Sequence, residues 1–205
     1  MTDSLPPTRA GAQAGARTRT RTRTRTRTRE KRVKPFVAWD GESVTLQTPE
    51  GEDHRYTLMA ASNGHSVWDS NGISTKRAFE FLLRLPEVTP GIYVAFGMNY
   101  DVNMMLRDIP YDDLKELWTD GALYWDDYYI EWIPGKVFVL HDESCKRPSF
   151  KSYDVFGFFQ SSFVRALETW GVGSDEFLRG MKDRRSDFQI EDREEIERYC
   201  FHEND

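Results

Sequence analysis

The chain has 205 residues, 14% of them aromatic, and a net charge of −6, which fits one domain with a real hydrophobic core. No apolar run approaches the ~18 residues of a membrane span, and the N-terminus lacks the apolar segment of a secretory signal. We therefore expect an intracellular protein (cytoplasm or host-cell interior) without a membrane partner, and the spacing of Cys145 and Cys200 indicates neither a metal site nor a disulfide framework.

The charge is unevenly distributed along the chain. Residues 1–34 carry 11 Lys/Arg and 2 Asp/Glu, a net charge of +9, whereas the rest carry 17 and 32, a net charge of −15. The Arg-Thr alternation from Arg17 to Arg29 is polar on both faces, so we predict a disordered basic arm over residues 1–33. This arm is interpreted either as a nonspecific phosphate-binding tether or as a low-complexity expansion without a role. The acidic remainder needs metal ions or local basic patches to approach nucleic acid.

The sequence beyond the arm has the patterns of a folded domain, which we place at residues 34–205. Short apolar or alternating runs bounded by turn residues predict strands at Phe36–Trp39, Ser43–Thr48, Arg55–Ala61 and Val67-Trp68. A helix is predicted over Lys76–Leu85, with Ser74 or Thr75 as its cap and with Pro86 and Pro90 ending it.

The second half of the chain continues this alternation of strands and helices. We predict strands at Ile92–Phe96 and Phe150–Val155, a hairpin within Ala122–Leu140, helices over Tyr100–Arg107, Asp112–Trp118 and Gln160–Trp170, and a last helix from Glu191 to the end. Residues 174–189 are polar and are predicted to be a loop. This order of elements predicts a mixed α/β domain with a central sheet.

Two acidic residues, Asp40 and Glu42, follow the first predicted strand and are separated by one glycine. On an extended backbone, residues two apart project from the same side, so both carboxylates would lie close together at the rim of the core. Such a pair is unfavourable without a cation, and Mg²⁺ prefers a few carboxylates plus water and phosphate. The alternative is a simple turn, because Asp-Gly is a common hairpin dipeptide.

Two further acidic residues follow or lie on apolar elements. Asp101 falls at the first turn of a predicted helix, where a carboxylate either serves a site or simply complements the helix dipole. Tyr199 and Glu203 are four residues apart and share a face of the last helix. Alternatively, Tyr199 packs in the core and Glu203 is solvated.

In chain order these motifs are Asp-x-Glu (Asp40–Glu42), Asn-Tyr-Asp (Asn99–Asp101) and Tyr-x-x-x-Glu (Tyr199–Glu203). The set resembles the proofreading 3′→5′ exonuclease domain of family B DNA polymerases from viruses, phages and linear plasmids. That domain belongs to the DEDD exonuclease superfamily and has a ribonuclease H-like fold. Two connecting stretches, Ile133–Lys136 and Asp154–Phe163, resemble the same polymerase branch.

The chain departs from the family pattern at two motif positions. Asn99 directly precedes Tyr100, whereas the usual motif has two or three residues between the two. Glu203 is one methylene longer than the usual aspartate. Because the coordination geometry of Mg²⁺ is strict, the second departure bears directly on activity.

The resemblance implies a ribonuclease H-like mixed sheet flanked by helices and a nuclease that uses two divalent metal ions, Mg²⁺ or Mn²⁺. It implies metal ligands at Asp40, Glu42, Asp101 and Glu203, with Tyr199 as the fifth catalytic residue, which orients the attacking water. Candidate DNA contacts are Asn99, Lys136, Ser161, Ser162 and Phe163. Phe163 also fits a core position, and Lys136 also fits a solvated turn.

The implied function is hydrolysis of 3′-terminal nucleotides from single-stranded DNA ends during DNA replication. The sequence ends at Asp205, so a polymerase domain is expected on a separate or truncated chain, unless the exonuclease stands alone. One alternative is a catalytically weak or silent nucleic-acid-binding module of the same fold. Another is an RNA-directed DEDD exonuclease, because no residue pattern here distinguishes ribose from deoxyribose.

Overall fold

The computed structural model describes residues 33–144, 148–172 and 176–205. The arm predicted over residues 1–33 lies outside the described residues, except for Val33. The described part contains an eight-stranded mixed sheet flanked by helices, which confirms the predicted mixed α/β class. None of the described helices has the length and apolar character needed to cross a membrane.

The described strands and helices alternate along the chain. The strands are β1 (Phe36–Thr48), β2 (Gly51–Ala61), β3 (Ser66–Trp68), β4 (Ile92–Ala95), β5 (Ala122–Trp125), β6 (Tyr128–Ile133), β7 (Val137–Asp142) and β8 (Phe150–Asp154). The helices are α1 (Thr75–Val88), α2 (Asn99–Met105), α3 (Tyr111–Asp120), α4 (Phe156–Phe159), α5 (Phe163–Thr169), α6 (Glu176–Arg184) and α7 (Arg193–Asn204). Short 3₁₀ turns at Arg185–Asp187 and Ile190–Asp192 connect α6 to α7.

The sheet has the order β3-β2-β1-β4-β8-β7-β6-β5. Its centre is parallel, because β1 pairs with β4 and β4 pairs with β8 in the same direction. The remaining pairs are antiparallel. The carboxyl ends of β4 and β8 therefore lie beside the point where β1 stops pairing with β4 and continues along β2. Ligand sites of α/β sheets commonly lie at this edge of the parallel centre.

Strand β1 is longer than predicted, because the two segments expected over Phe36–Trp39 and Ser43–Thr48 form one strand. The alternative of a hairpin turn at Asp40-Gly41 is wrong. Asp40 and Gly41 stay in register with β2, and the pairing shifts by a bulge only between Glu42 and Ser43. Continuous pairing with β2 therefore outweighs the local turn preference of Asp-Gly.

Two apolar clusters cover the two faces of the sheet. One packs α1, α2 and α3 against the sheet and contains Trp39, whose indole Nε1 donates a hydrogen bond to Ser152 Oγ at 2.8 Å. The other packs α6 and α7 against β1 and β2 through residues such as Ile196 and Tyr199. Burying each of these two side chains stabilises the docking of α7 by about 1.5–3 kcal/mol.

Two predicted helix boundaries are wrong. The helix expected over Gln160–Trp170 begins only at Phe163, as α5, because Gln160 adopts a left-handed conformation with φ of 51° and separates it from the short helix α4. Trp170, predicted to lie in the core, is 61% exposed. Of the two prolines predicted to end α1, Pro86 lies inside the helix, which continues to Val88, two residues before Pro90.

The segment 174–189 is the largest error in the prediction, because most of its described part is helical. Glu176–Arg184 forms α6 and Arg185–Asp187 forms a 3₁₀ turn. Its helical signals are the buried Leu178 and Met181, three apart, with Glu176 in the first turn and Lys182 and Arg184 in the last. Tertiary burial of its apolar side chains stabilises this short helix.

Candidate metal and nucleic-acid site

A cavity of about 470 Å³ opens at the carboxyl end of β4 and beside the middle of β1, just beyond the β1 residues that pair with β4. Its walls are acidic at one end and aromatic at the other. The acidic wall contains Asp40, Glu42, Asp101 and Glu203, which are the four metal ligands predicted from the resemblance. The sheet and two helices thus bring together acids that are up to 163 positions apart in the sequence.

Three of these acids form a compact group. Asp40, Glu42 and Glu203 each offer a carboxylate oxygen, and these oxygens lie within 4.8 Å of one another. Side chains of β1 alternate between the two faces of the sheet, so Asp40 and Glu42 lie on one face and Trp39 and Gly41 on the other. Three hard oxygen donors at this spacing have the chemistry of a divalent cation site.

The end of α7 is tied to the sheet, which explains the position of Glu203. The Cys200 thiol contacts the backbone oxygen of Asp40 at 3.6 Å, and the buried Asn204 side-chain amide donates to the Ala60 backbone oxygen at 3.3 Å. These contacts flank Glu203 on the helix. The last turn is therefore held against β1 and β2.

Asp101 lines the same cavity but does not belong to the three-carboxylate group. It lies in the first turn of α2 and is buried, and its Oδ1 accepts a hydrogen bond from the Tyr56 hydroxyl at 3.0 Å. Tyr56 in turn needs Gly41, because a Cβ at that position would overlap its phenol ring. The glycine between Asp40 and Glu42 therefore makes room for the residue that holds Asp101.

Asp154, at the end of β8, holds the loop that precedes α2. Its two carboxylate oxygens accept the backbone N–H groups of Gly97 and Met98, each at 3.0 Å. These two residues form the loop between β4 and α2. Asp154 therefore positions the helix that carries Asp101, a role that the sequence motifs do not indicate.

The carboxyl groups of the cavity have perturbed pKa values. Burial, followed by the charges of Asp101, Glu203 and Glu42, raises the pKa of Asp40 well above its ordinary value. Burial raises the pKa of Glu42 to about 8, against the attraction of Arg185. Burial also raises the pKa of Asp101 to about 7, although the hydrogen bond from Tyr56 lowers it. The cluster therefore favours either bound protons or a cation.

Two cations from the segment predicted as a loop reach into this cluster. Arg185 forms a bidentate pair with Glu42, with Nη2 at 2.9 Å from Oε1 and Nε at 3.2 Å from Oε2. Lys182 Nζ lies 2.5 Å from Glu203 Oε1. Burial lowers the pKa of Arg185, but the combined charges of Glu42, Tyr199, Asp40 and Glu203 outweigh this effect, so the net shift is upward. Neither residue was predicted to belong to the site, because residues 174–189 were predicted to be a loop, whereas Lys182 lies on α6 and Arg185 on the turn that follows it.

The Tyr199 side chain is fully buried, as its core interpretation predicts, and packs edge-on against Phe188 with ring centroids 6.0 Å apart. Its hydroxyl lies beside Glu203, yet neither this hydroxyl nor Glu203 Oε2 has a hydrogen-bond partner of normal geometry among the described residues. Burial and the charge of Glu203 raise the pKa of Tyr199. The phenol therefore stays protonated and can donate.

The other end of the cavity is walled by Phe96, Phe159 and Phe163. Phe163, predicted either as a DNA contact or as a core residue, is half-buried and both lines the cavity and packs against the α6–α7 cluster. Lys182 Nζ lies 5.0 Å from its ring centroid. Lys182 therefore stands between the acidic and the aromatic walls.

The other predicted DNA contacts lie outside the cavity walls. Asn99 is exposed, and its Oδ1 accepts the backbone N–H of Gly135 at 2.8 Å, which ties α2 to the turn between β6 and β7. Lys136 is exposed on that turn. Ser161 and Ser162 connect α4 to α5, with Ser162 at the N-cap position of α5.

The rim beside Glu42 contains a hydrogen-bonded group of three residues, of which only Tyr100 belongs to a motif. His54 Nε2 lies 2.9 Å from the Tyr100 hydroxyl, and this hydroxyl donates to Ser43 Oγ at 2.6 Å. All three residues line the cavity. The second motif therefore contributes two residues to the site, Tyr100 at the rim and Asp101 at the base.

Comparison with protein-family models gave no match, and comparisons with curated proteins and with solved structures gave none either. The resemblance to polymerase exonuclease domains is therefore carried by the three ordered motifs and the two connecting stretches of this sequence. The motif side chains meet in one cavity, apart from the exposed Asn99 and the buried Tyr199 beside it.

Proposed function

We propose that residues 34–205 are a 3′→5′ exonuclease domain of the proofreading type, with a ribonuclease H-like fold, that hydrolyses 3′-terminal nucleotides of DNA with two divalent metal ions. One observation carries the proposal. Asp40, Glu42 and Glu203, from β1 and α7, offer oxygens within 4.8 Å of one another. Asp101 lines the same cavity.

The residues fit divalent cations by their chemistry. The donors are carboxylates, the preferred ligands of Mg²⁺ and Mn²⁺, and one buried oxygen of Glu203 has no partner among the described residues. Asp40, Glu42 and Glu203 would hold one ion, and Asp40 with Asp101 would hold the other. When bound, such ions lower the pKa of water and stabilise the attacking and leaving oxygens of phosphodiester hydrolysis.

The chain's own groups supply the rest of the proposed site. Tyr199 keeps its proton and orients the attacking water by its hydroxyl. Lys182 and Arg185 carry positive charge where an entering phosphate would otherwise meet only carboxylates. The aromatic wall holds an unpaired terminal base, because stacking on such side chains tolerates any base.

A proofreading exonuclease acts together with DNA synthesis, so we propose a family B polymerase domain as the partner in DNA replication, on this or another chain. The basic segment 1–34 would add affinity for the phosphate backbone. That affinity would fall steeply with salt.

The direct test uses single-stranded DNA labelled at its 5′ end, with Mg²⁺ or Mn²⁺, and RNA of the same sequence in parallel. We expect stepwise shortening from the 3′ end of DNA that Asp40→Ala abolishes. Glu116→Ala, which removes an exposed acid on α3, is the matched control and should behave as wild type. Degradation of RNA alone, or DNA degradation that survives Asp40→Ala, contradicts the proposal.

A second candidate function is a nucleic-acid-binding module without catalysis. The specific observation in its favour is that Arg185 and Lys182 already neutralise Glu42 and Glu203 without any metal ion. This candidate predicts binding of DNA without shortening in either metal ion. It also predicts that deletion of residues 1–34 abolishes most of the binding.

A further inference from the structure

The cavity's aromatic wall continues onto the surface as three exposed rings, here named the aromatic platform. Phe158 is 69% exposed, Trp170 is 61% exposed and Phe156 is 46% exposed. Phe158 and Trp170 lie with ring centroids 5.6 Å apart and a tilt of 35°. The left-handed bend at Gln160 brings them together, because it folds the end of α5 back over α4.

The platform is continuous with the cavity. Phe159 packs edge-on against Phe158 at 5.0 Å and against Trp170 at 5.9 Å. On its other side it lies 5.9 Å from Phe96, which contacts Phe163 at 5.2 Å. A row of rings therefore leads from the wall beside the acidic cluster to the surface.

The size of the platform argues against a stable protein partner. Phe and Trp side chains bury about 150–250 Å² each, so the three exposed fractions together offer roughly 350 Å². A stable protein interface buries about 800 Å² on each partner. Exposed aromatic faces beside a cation suit a single-stranded nucleic acid better, and Lys182 lies over Phe163 where the row enters the cavity.

We propose that the aromatic platform stacks the unpaired bases that precede the terminal nucleotide of a single DNA strand whose 3′ end lies in the cavity. This inference rests on the proposed function and makes it more specific. The substrate it requires is a strand several nucleotides long, with its last few bases unpaired. Phe158 and Trp170 are then residues that position the strand, at a distance from the carboxylates.

The test measures affinity without hydrolysis. Fluorescence anisotropy in EDTA gives the Kd of a labelled thymidine octamer, and competition against it gives the affinity of thymidine monophosphate. We expect Phe158→Ala and Trp170→Ala each to weaken octamer binding about tenfold and to leave monophosphate competition unchanged. Circular dichroism checks that both variants fold.

Trp118→Ala is the matched control. Trp118 is 52% exposed and pairs with the exposed Tyr111 at 6.4 Å on α3, away from the cavity. Its octamer affinity should equal that of wild type. The inference is overturned if Trp118→Ala weakens binding as much as the platform variants, if both platform variants bind like wild type, or if wild type does not bind the octamer.

The two proposals fail separately. If the platform variants lose octamer affinity but wild type shortens no DNA with Mg²⁺ or Mn²⁺, the platform stands and the nuclease fails. If wild type shortens DNA and the platform variants bind normally, only the platform fails. Self-association that Phe158→Ala abolishes, without a change in octamer affinity, overturns the platform in favour of a contact between two copies.

Discussion

The two ends of the cavity are built differently. The acidic end is placed by β1, which pairs with β2 through Asp40 and Glu42 and with β4 just before them, and by the tethered end of α7. The aromatic end is carried by two short helices of four and seven residues that leave several rings exposed. The acids thus lie on the sheet or on helices tied to it by hydrogen bonds, whereas the exposed rings lie on two short helices. Changes at the acidic end should alter metal binding and stability, and changes at the aromatic end should alter affinity for a strand.

The largest expected effect is on metal affinity at the acidic end. Glu203→Gln removes one of three charged ligands, and we expect the affinity for Mn²⁺, measured by titration calorimetry, to fall about 100-fold. Phe158→Ala, at the other end, should leave Mn²⁺ affinity unchanged. Equal Mn²⁺ affinity in wild type and Glu203→Gln would show that the acidic cluster is not a metal site.

A pair of glycine substitutions compares the two ends by stability. Gly41→Ala places a Cβ against the Tyr56 phenol and should lower the free energy of unfolding by about 1–3 kcal/mol. Gly157→Ala on α4 meets nothing closer than 4.0 Å, so it should be neutral or stabilise by up to about 1 kcal/mol. Urea unfolding measures both. Equal stability of the two variants contradicts the tight packing at Gly41.

The acidic end should also make stability depend on pH. Burial raises the pKa of Glu42 to about 8 and of Asp101 to about 7, above their ordinary values of 4.5 and 3.8. The folded chain then binds more protons than the unfolded chain in this range, so this stability is complete below about pH 4 and is lost as pH rises through 7 to 8.

Thermal unfolding in EDTA should therefore give a lower Tm at pH 8 than at pH 5, and Mn²⁺ should restore it at pH 8. The double variant with Glu42→Gln and Asp101→Asn is the control, and its Tm should fall less over the same range. A Tm difference that is the same in wild type and double variant rules out these two carboxyls as its source.

The smallest expected effect concerns the ion pair at Glu42. Arg185→Gln removes a bidentate partner that is 37% exposed, so we expect a loss of only about 1 kcal/mol in metal-free stability. Because Glu42 no longer has a competing cation, Mn²⁺ affinity should rise a few-fold. Arg184→Gln, which loses an exposed pair with Glu195 at 3.4 Å, is the control and should change neither quantity. A decrease in Mn²⁺ affinity in Arg185→Gln would mean that Arg185 supports the metal ligands and does not compete with the metal.

Local patterns predicted much of what lies on single elements. The strand over Ile92–Phe96 corresponds to β4, and the helix over Lys76–Leu85 corresponds to α1, where Ser74 accepts the backbone N–H of Arg77 as expected of a cap. The repeat of side-chain directions in a strand or a helix is set by the local backbone conformation, so it can be predicted from neighbouring residues in the sequence. These patterns therefore also placed Asp40 beside Glu42, and Tyr199 above Glu203, before any fold was known.

The sequence by itself determined which acids share a face and that strands and helices alternate. Only the tertiary structure decided that β1 runs straight through Asp40-Gly41-Glu42, and that Arg185 pairs with Glu42 across 143 positions of sequence. The first result depends on pairing with β2 and on space for Tyr56. The second depends on α6, which buries Leu178 and Met181 and ends directly before Arg185. Contacts between distant segments leave no periodic pattern in either segment, because the two side chains become neighbours only when the chain folds.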